Sequence, residues 1–157
     1  MLGGHNIGKI IIGCDHGGFE LKIKLKKFLE SGGKEIVDFG CHSPDPVDYP
    51  DIAFLVADAV ATTDNNVGIM IDGVGIASAM VANKVPGIRA ALCWDIFTAN
   101  NAREHNNANV LVLGGRVIGD ALAIEIVKKF LETDFAGGRH GRRVNKIMAI
   151  EARYLKR

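Results

Sequence analysis

Five short segments of this sequence carry side chains that can bind an anion or move a proton, and four of them contain paired or near-paired glycines. Cys14-Asp15-His16-Gly17-Gly18 sets a carboxylate beside an imidazole, a pair suited to holding hydroxyls and shuttling protons near neutral pH. The competing role for Asp15 is plain helix capping. Ile71-Asp72-Gly73-Val74-Gly75-Ile76-Ala77-Ser78 places Gly73 and Gly75 where backbone N–H groups could cradle an anion at a helix start. It is neither GxGxxG nor GxxxxGK[ST], so a small phosphate suits it better than a nucleotide. A carboxylate at Asp72 is unwelcome beside a phosphate unless it stands aside as a proton-accepting base; its other role is to stabilise the turn. Ala102-Arg103-Glu104-His105-Asn106-Asn107 puts an imidazole at a helix end, followed by amides that can bind hydroxyls.

Gly114-Gly115-Arg116 adds glycines and a cation, and Gly137-Gly138-Arg139-His140-Gly141-Arg142-Arg143 concentrates three arginines whose forks match phosphate geometry. A solvated basic turn is the alternative for the latter segment. Tyr49 lies in a long proline-rich stretch, 40–51, and could present its phenol to a ligand. Together these residues describe a site for a small, phosphorylated, hydroxyl-rich molecule, with Asp15, His16, Asp72 and His105 as acid–base groups. Sugar-phosphate chemistry is the natural class. No spacing of His, Cys, Asp and Glu matches a metal site, and nothing reads as a nucleophile elbow or Ser-His-Asp set.

The elements that must hold these residues follow from the apolar pattern. Strands are expected at Lys9–Cys14, Glu35–Phe39, Val67–Ile71, Ile88–Cys93 and Asn109–Leu113. Helices are expected at Phe19–Glu30, Ile52–Ala61, Ile76–Asn83, Ile96–Glu104, Asp120–Glu132 and Val144–Tyr154. Lysines form the wet side of the first helix, and Ile23 belongs to its apolar side. Five short apolar strands alternating with helices, without hairpin signals, predict a parallel sheet covered on both faces, a doubly wound α/β sandwich. In such folds ligands bind beyond the carboxyl ends of the strands, where most of the segments above fall.

The 157 residues suit one domain, expected over 1–157, with 1–8 flexible and 144–157 a helical arm. The composition, 48% hydrophobic and 24% charged, excludes a disordered chain. Nineteen basic against eighteen acidic residues leave a net charge of +1, which argues against a nucleic-acid or anionic-membrane partner. Three cysteines without a CxxC pair suggest reduced thiols and a cytoplasmic protein; Cys14 and Cys93 read as packing, Cys41 as a thiol exposed on a loop.

The segments IIIGCDHGGFELK, VDYPD, MVANKVPGIRAALC, AREHNNANVLVLGGRV and FAGGRHGRRVNKI, in this order, resemble the ribose-5-phosphate isomerase B and galactose-6-phosphate isomerase family from Lys9 to about Glu151. The resemblance implies a Rossmann-like domain that pairs into a homodimer or a dimer of dimers, with each active site built from two subunits. It implies aldose–ketose isomerisation of a phosphosugar without metal or organic cofactor. His105 would help open the sugar ring, and Asp15 and Asn106 would lie near the sugar. His16, Arg116, Arg139 and Arg143 would lie at the phosphate, and Tyr49 would line the pocket. Gly73 and Gly75 would offer N–H groups to the substrate and the enediolate oxygen. The arm would pack on the partner subunit.

One position departs from the family pattern. Its ribose-5-phosphate isomerases commonly carry a cysteine base where this chain has Asp72, and another branch uses a glutamate where this chain has Ser78. Galactose-6-phosphate isomerase subunits carry Asp at the first position, whereas GIRAALC and GGRHGRRV look like the ribose-5-phosphate side. Asp72 as the base is the expectation. Its alternatives are a hexose phosphate substrate, a subunit needing a paralogue, and a phosphosugar-binding protein without turnover.

Overall fold

The computed structural model describes residues 7–155. The expected flexible stretch 1–8 and the end of the 144–157 arm lie partly outside these residues. Ile7 packs against the core, and the Gly8 N–H donates to the Asn65 carbonyl at 2.8 Å.

Five strands, β1 (Ile10–Cys14), β2 (Ile36–Asp38), β3 (Val67–Asp72), β4 (Ala90–Leu92) and β5 (Val110–Gly114), form one sheet in the order β2-β1-β3-β5-β4. Every neighbouring pair is parallel. The helices are α1 (Phe19–Ser31), α2 (Tyr49–Ala61), α3 (Ile76–Ala82), α4 (Ile96–Glu104), α5 (Asp120–Glu132) and α6 (Gly138–Tyr154). The expected doubly wound parallel sandwich is therefore the fold. Alternate strand residues feed two cores. Ile10, Ile12, Ile69, Ile71, Leu111 and Leu113 meet Leu21 and Leu25 of α1, Ala99 of α4, and Ile126 and Phe130 of α5. Ile11, Met70, Val110 and Val112 meet Ala53, Val56 and Val60 of α2 and Ala82 of α3. Burial on both faces is why these strands are continuous apolar runs rather than alternating ones.

The chain leaves β1 for β2 on one side and then crosses to β3 on the other, so the order reverses between β1 and β3. Loops diverge at such a point and open a crevice beyond the strand ends. Asp15 follows β1 directly and Asp72 ends β3.

Three expectations need correction. Helix α2 starts at Tyr49, not Ile52, because Pro50 fits the first turn, where its missing N–H would have no intrahelical partner anyway. Helix α6 starts at Gly138, not Val144, so Arg139, His140, Arg142 and Arg143 belong to helix rather than to a turn. In α1, Lys22 is fully buried while Ile23 is half exposed. The Lys22 ammonium reaches past the sheet edge, donating to Asp38 Oδ1 at 2.8 Å and to the Cys41 carbonyl at 2.6 Å. Lys26 Nζ donates to Asp38 Oδ2 at 3.1 Å.

Candidate active site

Three loops meet at the switch point. After β1, Asp15 Oδ1 accepts from the N–H groups of Gly17 at 2.8 Å and Gly18 at 3.1 Å, which folds the loop and starts α1. After β5, the Gly115 N–H donates to the Asp72 carbonyl at 2.7 Å and the Arg116 N–H to the Gly73 carbonyl at 3.0 Å. The backbones touch: a Cβ on Gly17 would lie 2.9 Å from Gly73 Cα, so glycine is required for the approach. The exposed Arg116 side chain runs alongside Gly73, its Cδ 3.6 Å and Nε 3.7 Å from where a Cβ on that glycine would sit. Exposed His16 lies on the same rim, its Nδ1 accepting from the Val47 N–H at 3.4 Å, which draws the 40–48 loop over β1. Half-buried Tyr49 opens α2 at the foot of that loop.

Asp72, like Asp15, is a buried carboxylate of this cluster, 5% exposed. Its Oδ1 accepts from the Val74 N–H at 2.7 Å and from the Gly75 N–H, and its Oδ2 accepts from the Ser78 N–H at 3.1 Å. The carboxylate thus occupies the glycine loop itself. This corrects the expectation that Gly75 offers its N–H to a substrate: that donor is turned inward to Asp72. Gly75 has φ +90°, and a Cβ there would come within 2.4 Å of Leu92 Cδ1, so the turn that closes on Asp72 needs glycine. Ser78 Oγ, also fully buried, is without a hydrogen-bond partner.

A second cluster forms where α4 ends and α6 begins. His105 caps α4, and the Ala136 N–H donates to the Glu104 carbonyl at 2.9 Å, docking the α5–α6 link there. The His105 and His140 rings stack with centroids 3.9 Å apart and 8° between planes. Arg139 Nε donates to His140 Nε2 at 3.4 Å. Desolvation, then the charges of His105, Arg139 and Arg143, hold His140 below its ordinary 6.5. Arg139 and Arg143, four residues apart, share one exposed helix face. Asn106 turns its amide back on Asn101 of α4 rather than outward. Asn101, missed from sequence, is a mid-helix amide with no local pattern to mark it.

Within one chain the two clusters stand apart. Helix α4 runs back against the strand direction, so its C-terminus lies by the start of β5, while Asp72 pairs with Gly114 at the end of β5. Five strand residues separate these edges by roughly 16 Å, beyond hydrogen-bond reach. The structure brings together Asp15, His16, Asp72, Gly73, Gly75 and Arg116, with Tyr49 at the end of the 40–48 loop that His16 touches. It brings together His105, Asn106, Arg139 and Arg143 elsewhere.

Cys41 is buried, not exposed, with its Sγ 3.6 Å from Cys14 Sγ. Burial pushes the Cys14 thiol up to about 12, although Lys22 pulls it down, and pushes Cys93 up to about 11. Among the described residues no group of three or more His, Cys, Asp or Glu could hold a metal ion, and no helix is long and apolar enough to cross a membrane. A groove of about 990 Å³ lies away from Asp72, along the β4 edge between α4 and α6.

A doubly wound parallel sheet with two carboxylates and an arginine at its switch point suits a small anionic ligand. The family model described as Ribose/Galactose Isomerase matches residues 10–147, and the chain belongs to this family of aldose–ketose isomerases. It is 45% identical over 145 residues to ribose-5-phosphate isomerase B of Escherichia coli, covering 92% of this chain and 97% of that one. The structure of ribose-5-phosphate isomerase B from Clostridium thermocellum superposes with a TM-score of 0.91 at 50% identity, covering 93% and 99%. That of Mycoplasma genitalium, with ribulose-5-phosphate bound, gives 0.90 at 45% identity, covering 94% and 99%.

Proposed function

We propose that the chain interconverts ribose 5-phosphate and ribulose 5-phosphate, with Asp72 as the base. The observation that carries this reading is the division of labour in the Asp72 carboxylate. Oδ1 is engaged by two N–H groups, whereas Oδ2 accepts one and keeps a lone pair. Oδ2 takes the proton from C2 of the open-chain aldose and the electrons move to the C1 oxygen as the enediolate forms; the hydroxyl proton on the C2 oxygen passes to the C1 oxygen, and the carbonyl forms at C2 as Asp72 returns its proton to C1. Arg116, beside Gly73, supplies positive charge for the anion, and Asp15, His16 and Tyr49 border the same crevice. Relatives at 45% identity or above that are named ribose-5-phosphate isomerase B support the pentose substrate.

His105, Asn106, Arg139 and Arg143 enter the site from a second copy, in a homodimer or dimer of dimers. Helix α6 supports this: it buries only His140 and Val144 on its own chain and leaves Ile147, Ile150 and Tyr154 exposed along the groove at β4. Phe97, 77% exposed, lines the same groove. A cytoplasmic location belongs to the same proposal.

The test is NMR of the purified protein in deuterated water with ribose, allose and galactose phosphates and their ketoses. Deuterium entering C2 of ribose 5-phosphate, and its loss in Asp72→Asn, is the expected result. Exchange confined to a hexose phosphate moves the substrate to the galactose side. Undiminished exchange in Asp72→Asn makes Asp72 the cap of α3 and no more, the role its three N–H contacts also suit.

A further inference from the structure

The hydrogen bonds around His105 form a chain whose direction can be worked out from one end. The backbone carbonyl of Asn101 can only accept, so the Asn106 side-chain atom 3.2 Å from it is the amide nitrogen. The same nitrogen lies 3.2 Å from Asn101 Oδ1 and donates to it. Asn101 therefore turns its own Nδ2 the other way, 2.9 Å from His105 Nδ1. An amide nitrogen has no lone pair to accept with, so Nδ1 accepts and carries no proton. The ring proton of His105 sits on Nε2. The remaining neighbours leave that atom available: His140 lies flat against the ring face, and Glu104 Oε2 is 3.9 Å from Nε2, outside hydrogen-bond distance.

From this geometry we infer that Asn101 is a positioning residue that fixes His105 as the neutral Nε2–H tautomer, a donor to a sugar oxygen. The inference rests on the isomerase reading above and serves its ring-opening step. There the anomeric hydroxyl gives its proton to water, the bond between C1 and the ring oxygen breaks, and the ring oxygen takes a proton from water. The Nε2–H hydrogen-bonds that oxygen while negative charge gathers on it, and His105 ends the step unchanged. A free imidazole exchanges its proton between both nitrogens; the Asn106–Asn101 chain removes the tautomer that would offer the sugar a second acceptor.

The test reverses the polarity of the amide while keeping its shape. Long-range proton–nitrogen NMR of the unligated protein, with His105 signals identified by their loss in His105→Gln, reads the tautomer directly. An unprotonated Nδ1 in the unmodified protein and a protonated Nδ1 in Asn101→Asp are expected. In parallel, ribose 5-phosphate is compared with ribulose 5-phosphate, which stays open because its C5 oxygen is phosphorylated. Asn101→Asp and Asn101→Leu should each lower turnover of ribose 5-phosphate about tenfold or more, and change deuterium exchange into C1 of ribulose 5-phosphate by less than about twofold. A protonated Nδ1 in the unmodified protein overturns the inference, and so do equal losses in the two assays. Failure of the unmodified protein to act on either sugar overturns the isomerase reading instead, and the NMR arm still decides the tautomer.

Discussion

Asp72 holds the start of α3 through three N–H groups and offers the remaining lone pair of Oδ2 to a proton. Substitution separates the two roles. Asp72→Asn retains an oxygen for the Val74 and Gly75 donors but turns its NH2 on the Ser78 N–H, so it should cost about 1–3 kcal/mol in stability, less than the alanine variant, while turnover falls by about 10²–10⁴, the range for a lost general base. Asp72→Ala should lose both turnover and stability, measured by the same assay and thermal unfolding. The thiols make the opposite prediction. Cys14 and Cys93 are buried with thiols raised to about 12 and 11, and Cys41 is buried as well. Iodoacetamide at neutral pH should therefore leave activity essentially intact, checked by assay and by mass spectrometry of the labelled protein. At this scale Asp15, Asp72 and Arg116 were legible because a strand end followed by glycine is itself a sequence pattern. Asn101 and Lys22 were not, since each draws its role from a partner far along the chain or across a turn.

Among the elements, the strands were legible as β-branched runs, and the starts of α2 and α6 were not. Pro50 and the glycines at 137, 138 and 141 read as loop, yet proline is at home in a first turn, and α6 accepts Gly138 and Gly141 where tertiary docking of His140 fixes its position. Lys22 ties α1 to the end of β2 across the sheet edge. Burial works against the charge on Asp38, but hydrogen bonds from Lys22, the Gly40 N–H and Lys26 win and hold its carboxyl below the ordinary 3.8. Removing that partner leaves the Lys22 ammonium buried, so Asp38→Asn should cost about 3–5 kcal/mol in urea unfolding. The sign of the pH effect follows from the depressed value: the contribution is full above pH 3.8, where Asp38 is ionised folded or unfolded, and is lost as pH falls through the lower folded value. Asp38→Asn should lack this acid limb.

At the scale of the molecule, the proposed sharing of the site between two copies is tested by mixed assemblies. A chain carrying Asp72→Asn and a chain carrying His105→Gln should each be nearly inactive. After random reassortment half of the dimers are mixed, and each has one site with both residues intact. Unfolding and refolding an equimolar mixture should thus restore about a quarter of the wild-type activity. No recovery would place both residues in one chain's site.

The reversal of α4 relative to the strands, which sets His105 and Asp72 at opposite ends of β5, also bears on how activity scales with protein. Under the proposed sharing, each folded chain donates two unlike half-sites, and only the pair turns over. Below the dissociation constant of the dimer, rate should rise with the square of protein concentration rather than in proportion to it. A substitution such as Phe97→Asp, at the groove and at none of the residues assigned to the chemistry, would register as a catalytic lesion in dilute assay and vanish in concentrated solution.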